Sequence, residues 1–436
     1  MSSEWPAVSI GEIAGDWKGS MAVGPFGSRM KADLYVPSGV RVIRGNNLSG
    51  GREPEGDYVY VAEETADSLA NCCLQPGDLV FPHRGNIGEV GITPDDGLRY
   101  MLSTSLMKLS PDREKAEPLY LMYFFKSAIG RAALLMNASQ VGTPGIATPL
   151  KSLRGIQLPL PPIMVQRQIA NTLSKLDDRI TLLRETNATL EAIAQALFKS
   201  WFVDFDPVRA KMEGRAPEGM DEATAQLFPG RFEESDLGLV PMGWRAQSLD
   251  TIATFLNGLA LQKFPPTGLN DLPVIKIAQL RKGDTVGADQ SSRSIKPEYI
   301  VKDGDVLFSW SGSLEVEIWC GGEGALNQHL FKVTSVDFPK WFYFFWTRHH
   351  LADFRQTAAS KATTMGHIQR GHLTAAKVCI PNEEVMKAAT SILGPIVEKL
   401  VENSLQARTL TNIRDSLLPK LISGKLVLPQ EFSVAS

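Results

Sequence analysis

Short runs of apolar residues, separated by Gly, Asn and Pro, fill two stretches of the chain. Such runs are typical of short β-strands. The predicted strands are 40–43, 78–81 and 90–92 in the first stretch and 273–275, 305–308 and 316–318 in the second. One aromatic-rich segment follows in each stretch, 119–136 and 341–354, and predicts a helix. We therefore expect two compact domains, each with a mixed, mostly antiparallel sheet.

A longer helical pattern follows each domain, after a proline boundary. Apolar residues recur there at alternating steps of four and three, the a/d seam of a coiled coil. The main seam residues, which are also candidates for docking a partner, are Leu173, Leu176, Ile180, Leu183, Leu190, Trp201, Leu393, Ile396, Leu400, Leu410 and Leu417, and Phe202 beside Trp201 is a further docking candidate. Asn187 and Asn403 are polar seam positions; they either fix the register of the helices or are tolerated at its edge. Each helix should be about 55–60 Å long at 1.5 Å per residue.

The two stretches are copies of one unit. Phe81 corresponds to Phe308 at a separation of 227 positions, and Tyr123 corresponds to Tyr343 at 220. The separation starts at 239, between Trp5 and Trp244, and stays at 220 through the helices. Shrinking separations indicate shorter loops in the second copy, so we expect tandem domains and not a solenoid.

These patterns predict an α/β (α+β) protein in which two tandem domains are separated by two long helices that pair as an antiparallel coiled coil. The predicted boundaries are a first domain at 1–161, a central helix at 162–205, an ordered linker at 206–243, a second domain at 244–381, a distal helix at 382–424 and a tail at 425–436.

Composition narrows the class of protein. The net charge of −3 argues against a simple basic DNA-coating protein, although a specific DNA-binding protein can confine its cations to one face. The four cysteines include no CxxC pair, so we expect neither a disulfide framework nor a zinc site. The sequence has neither a signal peptide nor a membrane-length apolar stretch, and we expect a cytoplasmic location.

Common catalytic motifs are missing from the sequence. It contains no GxxxxGK[ST], no GxSxG and no HExxH, and no two of its six histidines have the i, i+4 spacing of a ligand pair. It also has no Asn/Asp-Pro-Pro-aromatic tetrapeptide, which an amino-methyltransferase uses to hold a flipped base. We expect no catalytic residue, no metal and no cofactor in this chain.

Several motifs resemble the central region of Type I restriction–modification specificity subunits. They are Leu-Pro-Leu-Pro-Pro-Ile-Met-Val-Gln at 158–166, Leu-Asp-Asp-Arg-Ile at 176–180, Leu-Phe-Lys-Ser-Trp-Phe at 197–202, Asp-Phe-Asp-Pro-Val at 204–208, the approach to Trp244, and Leu-Leu-Pro-Lys-Leu-Ile-Ser-Gly at 417–424. The likeness spans essentially the whole chain. One departure is the distal counterpart of the Pro-Pro-x-x-x-Gln motif, which lacks the glutamine.

The resemblance implies a subunit that recognises double-stranded DNA for a partner enzyme. Each target-recognition domain would contact one half of an asymmetric, bipartite site, and the helices would set the spacing. The helices would also dock two methyltransferase subunits, which bind S-adenosylmethionine, and motor-nuclease subunits can join. The alternatives are a scaffold that binds proteins only, and a fused enzyme, which the missing motifs disfavour.

Three pairs of matched segments are our candidates for DNA contact. Two of them combine glycine with side chains that can pair with base edges or phosphate, and the third pair lies at matched strand ends. The residues are Asn46, Asn47, His83, Arg84, Asn86, Gln140 and Thr143 in the first copy and Gln279, Arg281, Trp310, Ser311, Lys361, Thr364 and His367 in the second. The alternative for the 82–88 segment is a turn in which Arg84 forms a surface ion pair. The alternative for the 139–145 segment is a connecting or helix-capping loop.

Two aromatic features have competing interpretations. The runs 120–125 and 341–346 could be base-stacking platforms, but their helical context favours core packing. Trp201 and Phe202 could anchor the base of the central helix or contact a methyltransferase.

Overall fold

A computed structural model describes residues 5–26, 29–48, 50–139, 144–235, 238–360 and 366–429. The chain divides into two compact units. The first unit consists of Met1–Arg179 and Leu410–Ser436, and the second consists of Ile180–Thr409. The unit boundaries therefore fall within the two long helices.

The α-helices of the described residues are α1 Ile10–Ile13, α2 Glu63–Ser68, α3 Pro118–Lys126, α4 Ala128–Leu135, α5 Pro149–Arg154, α6 Ile163–Phe198, α7 Asp206–Met212, α8 Glu222–Leu227, α9 Leu249–Ile252, α10 Ile277–Lys282, α11 Lys340–His349, α12 Leu351–Ser360, α13 Arg370–Ala375 and α14 Glu383–Ser423. A π-helical turn, Lys199–Val203, continues α6. None of these helices has the length and apolar character needed to cross a membrane.

The strands of the described residues are β1 Ala7–Ser9, β2 Met21–Val23, β3 Tyr35–Val36, β4 Val40–Ile43, β5 Val59–Val61, β6 Cys73–Leu74, β7 Leu79–Pro82, β8 Gly91–Ile92, β9 Tyr100–Leu102, β10 Leu106–Leu109, β11 Ala138–Ser139, β12 Gly145–Ile146, β13 Gln157–Pro159, β14 Phe232–Ser235, β15 Gly238–Pro241, β16 Arg245–Ser248, β17 Thr254–Asn257, β18 Leu272–Ile275, β19 Gln290–Ser291, β20 Ile300–Val301, β21 Val306–Ser309, β22 Val316–Ile318, β23 Gly324–Leu326, β24 Leu330–Thr334 and β25 Lys377–Ile380.

The two units share one sheet topology. A four-stranded antiparallel sheet has the order β2-β10-β7-β8 in the first unit and β17-β24-β21-β22 in the second. A second sheet in each unit contains one parallel pair, β4 with β9 and β18 with β23. Even the register is repeated, because Phe81 lies opposite Met107 and Phe308 lies opposite Phe331. The expected duplication and the mixed, mostly antiparallel sheets are confirmed.

Each aromatic-rich helix lies in the core of its unit. Tyr120, Phe124 and Phe125 are buried on α3, and residues 341–346 are all buried on α11. Core packing, and not base stacking, is therefore their role.

The single helix predicted for 119–136 is wrong, since the structure breaks it into α3 and α4 at Ser127. Ser127 adopts an extended conformation, and its hydroxyl accepts a hydrogen bond from Gly130 N at 3.2 Å. A helix N-cap of this kind starts a new helix with a new direction. The second copy is divided likewise, between α11 and α12.

The ends of the long helices are part of the domain cores. In the first unit, Ile169 and Leu173 of α6 join the same buried cluster as Leu421 and Ile422 of α14. In the second unit, the cluster includes the C-terminal end of α6 together with Ala389 and Leu393 of α14.

Trp201 and Phe202 pack inside this second cluster, against Phe228, Trp244 and Trp341 among others. Both side chains are buried. They therefore anchor the base of α6, and the alternative of a methyltransferase contact does not fit their burial.

The long helices run antiparallel within each unit. In the first unit, Asp177 of α6 pairs with Arg414 at 2.7 Å, while Gln168, nearer the start of α6, reaches Pro429 beyond the end of α14. In the second unit, Asn187 donates to Leu400 O at 2.9 Å and to Ser404 Oγ at 3.0 Å. Asn403 donates in turn to Asn187 Oδ1 at 2.9 Å. The two polar seam residues thus bond to each other between the helices.

Seam burial is uneven. Leu173, Ile180, Leu183 and Leu393 are buried within the chain. The other seam leucines and Ile396 are half-buried; they are Leu176, Leu190, Leu400, Leu410 and Leu417. The buried members contribute to pairing and not to a surface that a partner could reach.

Gln166, in the Pro-Pro-x-x-x-Gln motif, is buried and fully bonded. Its Oε1 accepts from Glu117 N at the start of α3 (2.9 Å), and its Nε2 donates to the carbonyls of Lys115 and Pro161. The glutamine therefore ties the first domain to α6. Met386 takes the matching position in the second copy and packs against the core.

The stretch at 206–243 is more regular than a linker. It contains α7, α8 and the β14–β15 hairpin in its described part. Val208, Phe228 and Val240 belong to the core of the second unit. This stretch is therefore part of the second unit.

Candidate nucleic-acid interface

Three predicted segments of the first unit meet at one edge of its sheets. Because β4 and β9 are parallel, their carboxyl ends lie together, and Ser103 N donates to Ile43 O at 3.0 Å. The end of β7 reaches the same place, since His83 N donates to Ser105 O at 2.9 Å. Gly24, at the end of β2, donates to Leu106 O at 2.8 Å. We call this set of chain ends the first polar edge; it comprises 24–26, 44–47, 83–86, 103–105 and 144–145.

The described part of the 139–145 segment closes this edge. Gly85 N donates to Pro144 O at 3.0 Å, and Ile146 N donates to His83 O at 2.9 Å. Gln140 and Thr143, both candidates for DNA contact, lie outside the described residues. The segment therefore pairs with the 83–85 turn. This pairing is compatible both with a loop that contacts DNA and with a connecting loop.

The second unit repeats these bonds one by one. Trp310 N donates to His329 O, and Ile368 N donates to Trp310 O at 3.0 Å. Gly312 N donates to Gly366 O at 2.9 Å. We call the corresponding region the second polar edge; it comprises 257–260, 276–279, 310–313, 327–329 and 366–367. Lys361 and Thr364 lie outside the described residues.

A glycine is required at the centre of each edge. Gly85 and Gly312 both adopt a left-handed backbone, with φ of 80° and 66°. Residues with a Cβ rarely adopt this conformation. The turn geometry is thus the same in both copies, while its neighbours differ: Arg84 and Asn86 in the first, Ser311 and Ser313 in the second.

Arg84, Asn86 and Asn46 are exposed on the first polar edge. Among the residues that the structure describes, Arg84 has no acidic side chain within 4.0 Å, so the surface ion pair does not form. A free guanidinium beside an exposed amide is suited to phosphate or to the acceptors of guanine.

The side-chain amides of Asn47 and Gln279 bond to the backbone of this chain, and their contact with DNA stays a prediction. Asn47 is buried; its Oδ1 accepts from Arg44 N at 2.9 Å and its Nδ2 donates to the carbonyls of Glu55 and Asp57. Gln279 Oε1 accepts from Lys276 N at 3.3 Å at the start of α10. Both amides hold backbone turns, because unpaired N–H groups at the start of a helix need acceptors. Arg281, on the same helix, is exposed.

Trp310 is half-buried and Ser311 is buried, and both side chains bond to other residues of the second unit. Trp310 Nε1 donates to Asn257 Oδ1 at 2.9 Å and to Gln328 O at 3.1 Å. Ser311 is buried, and its Oγ lies 2.9 Å from His329 Nδ1. Contact of Trp310 and Ser311 with DNA stays a prediction, and the half-exposed His329 lies beside both side chains.

The exposed side chains of the second polar edge are different from those of the first. His367 is exposed and lies edge-on to Trp310, with ring centroids 6.3 Å apart. Arg370, just beyond it, donates to Phe255 O at 3.1 Å and lies over the Phe331 ring. Where the first polar edge has Arg84, the second has the imidazoles of His329 and His367 and, just beyond His367, Arg370, which is held by a hydrogen bond.

Several residues of these edges were missed by sequence reasoning. Phe26 and Thr104 are exposed on the first polar edge, and His329 lies on the second. His329 corresponds to Ser105, one position before the matched Leu106 and Leu330. The repeat alignment, extended by one residue, would have found it.

The chain combines duplicated α/β domains, long paired helices and two equivalent edges with different exposed side chains. This combination is typical of a protein that recognises a target made of two different halves. Residues 29–192 match the sequence model of a family described as "Type I restriction modification DNA specificity domain".

Relatives with a similar description match most of the chain. The Type I restriction enzyme HindI specificity subunit of Haemophilus influenzae is 26% identical over 411 residues, covering 82% of this chain and 88% of the relative. The MjaIX specificity subunit of Methanocaldococcus jannaschii is 24% identical over 452 residues, covering 97% of this chain and 96% of the relative. The fold is similar to the crystal structure of a Type I S subunit from M. genitalium, with a TM-score of 0.54, 15% identity and 96% of both chains covered. Over most of its length the chain is therefore similar to Type I restriction–modification specificity subunits.

Proposed function

We propose that each polar edge contacts one half of an asymmetric, bipartite site in double-stranded DNA. The observation that supports this most directly is the pair of edges, which share their backbone hydrogen bonds and differ in their exposed side chains. A common framework with different donors is what two different half-sites require, because base identity is read by side chains. Two identical edges would instead favour a palindrome.

The long helices are suited to keep the half-sites at a set spacing. They contain 36 and 41 residues, and the seam between them is bonded through Asn187 and Asn403. A rigid connection raises the effective concentration of the second domain at its half-site. Two modest affinities then combine into one sharp specificity.

The same helices would dock the partner subunits. Leu182 and Ile193 of α6 and Ile392 of α14 are exposed apolar side chains in the second unit. Residues 182 and 193 are eleven apart and so share one helix face. We propose that two methyltransferase subunits bind the helices, that these subunits hold S-adenosylmethionine, and that motor-nuclease subunits can join the complex.

Mapping N6-methyladenine in DNA tests this function. This chain should be produced together with its methyltransferase subunit in a host free of adenine methylation, with the methyltransferase alone as the control. The expected result is methylation at a split motif with two different halves, seen only with both subunits. A continuous or palindromic motif would contradict the assignment of one half-site to each edge.

The alternatives give different results in the same system. A protein-binding scaffold would bring no sequence-specific methylation and no salt-sensitive binding to duplex DNA. A fused enzyme would methylate or cleave DNA as a purified single chain.

A further inference from the structure

His83 is a buried polar side chain without a hydrogen-bond partner. It is 2% exposed, and neither ring nitrogen is bonded to any residue that the structure describes. Burial lowers the pKa of the His83 imidazole, and the nearby Thr104 carbonyl opposes this shift without having the geometry of a hydrogen bond. A buried, unpaired polar group destabilises a folded protein. Its presence therefore needs an explanation.

In the second unit, the ring at the equivalent position has hydrogen-bond partners. Trp310 takes the place of His83, since its backbone makes the equivalent bonds to the neighbouring segments. The indole Nε1 of Trp310 is bonded twice, to Asn257 and to Gln328. The same framework can thus satisfy a ring at this position, and in the first unit it does not.

His83 lies directly behind the exposed surface of the first polar edge. The ring of Phe26 is 56% exposed, with its centroid 6.4 Å from that of His83. Arg84, the next residue, is exposed and without an acidic partner among the described residues. Phe26 is the exposed ring next to the imidazole, and exposed side chains change rotamer within nanoseconds.

We propose that His83 is a specificity-determining residue, which donates a hydrogen bond to the N7 atom of a purine in the first half-site once Phe26 has rotated away. This inference rests on the proposed function and adds a residue and a base class to it. A neutral imidazole has one N–H donor, and N7 is the major-groove acceptor that adenine and guanine share. The contact distinguishes a purine from a pyrimidine at one position.

The test uses the complete complex of this chain with its methyltransferase, and duplexes that contain the mapped site. Each purine of the first half-site is replaced in turn by its 7-deaza analogue, which removes only the N7 acceptor. We expect one position at which the analogue lowers affinity about tenfold, the usual size of a base contact. That loss should vanish in the His83→Phe variant and persist in Arg84→Ala, because an arginine contact to N7 is independent of His83.

His83→Phe also separates a recognition role from a structural one. Phenylalanine removes the unpaired nitrogens and keeps the ring, so the melting temperature should stay the same or rise. Purine preference should fall at one position of the first half-site, while the second half-site serves as an internal control and stays unchanged. A raised melting temperature with full specificity in both halves would overturn the inference.

The remaining outcomes are also decisive. The 7-deaza series on the unmodified complex does not depend on any variant folding, so insensitivity at every purine of the first half-site refutes the proposal by itself. Should the unmodified complex recognise no split motif, the proposed function fails. A split motif without a His83-dependent position leaves that function standing and rejects only this contact.

Discussion

Each unit contains the same ion pair at the same place. Lys108 lies 3.3 Å from Asp78 in the first, and Lys332 lies 2.7 Å from Asp305 in the second. Each carboxylate also accepts from a turn N–H, and each ammonium donates to a carbonyl of the adjacent short strand. The pairs therefore fasten β10 and β24 to the turns that precede β7 and β21.

Because it is more deeply buried, the Lys108–Asp78 pair should affect the free energy of unfolding more than the Lys332–Asp305 pair does. In Lys108→Met, the Asp78 carboxylate is left in a site where both side chains are 6% exposed or less, and we expect a loss of about 3 kcal/mol in the free energy of unfolding. The matched variant Lys332→Met involves side chains that are 15% and 22% exposed, so solvent compensates more of its loss. Urea denaturation followed by circular dichroism compares the two; equal losses would show that burial does not set the cost.

Arg84 is the side chain through which the first polar edge should bind DNA most strongly. Arg84→Ala should weaken specific binding by about 1–3 kcal/mol, as loss of an arginine–base contact does, and leave assembly with the methyltransferase intact. Electrophoretic mobility shifts with the mapped site measure the effect. Lys18→Ala is the control, because Lys18 is exposed near the other end of the same domain. Unchanged affinity in Arg84→Ala would remove this residue from the interface.

At the scale of elements, the seam between α6 and α14 combines apolar packing with one bonded polar pair. Asn403 is buried and its amide depends on Asn187. Asparagine at a seam position costs stability and selects the register in which it finds a partner.

A double-mutant cycle tests this role. Asn187→Leu should destabilise the chain by about 1–3 kcal/mol, because it leaves the Asn403 amide unpaired. The double variant Asn187→Leu/Asn403→Leu should recover that stability, and chemical denaturation measures both. Since the register is then no longer selected, the double variant should methylate motifs of more than one spacing. If the double variant instead lost as much stability as the two single variants together, the asparagines would act independently.

At the scale of the whole molecule, the proposed function depends on two helices that are continuous through the boundaries of both units. Lengthening only one of them would break either the Asp177–Arg414 pair or the Asn187–Asn403 pair. An experiment on spacing must therefore change both helices together.

We expect that one additional heptad in α6, between Asp177 and Asn187, matched by one in α14 between Asn403 and Arg414, lengthens the spacer of the recognised site. Seven residues add about 10 Å, equivalent to at most about three base pairs. Mapping of methylated adenines gives the new spacer. A motif with its original spacing would contradict the idea that the helices set the distance, provided that melting shows an intact fold.

Periodicity and duplication alone were sufficient for the architecture. The alternating apolar runs placed β4 and β21 within a residue of their observed ends, and the four-three steps placed both long helices. These features are local or repeated, so they are visible without knowledge of contacts between distant residues. The break at Ser127 was missed because a serine inside an apolar helical pattern can equally face solvent.

The polar edges could be predicted from the sequence only in part. Sequence located the turns around Gly85 and Gly312, since glycine at matched positions marks a shared backbone conformation. It could not tell that Asn47, His83 and Ser311 are buried while Arg84 and Asn86 are exposed. Burial depends on which strand ends meet, as Ile43 meets Ser103 and His83 meets Ser105, and those pairs are 60 and 22 positions apart in the chain. Such contacts between distant residues form only when the sheets close, and for that reason the side chains available to DNA were decided by the fold.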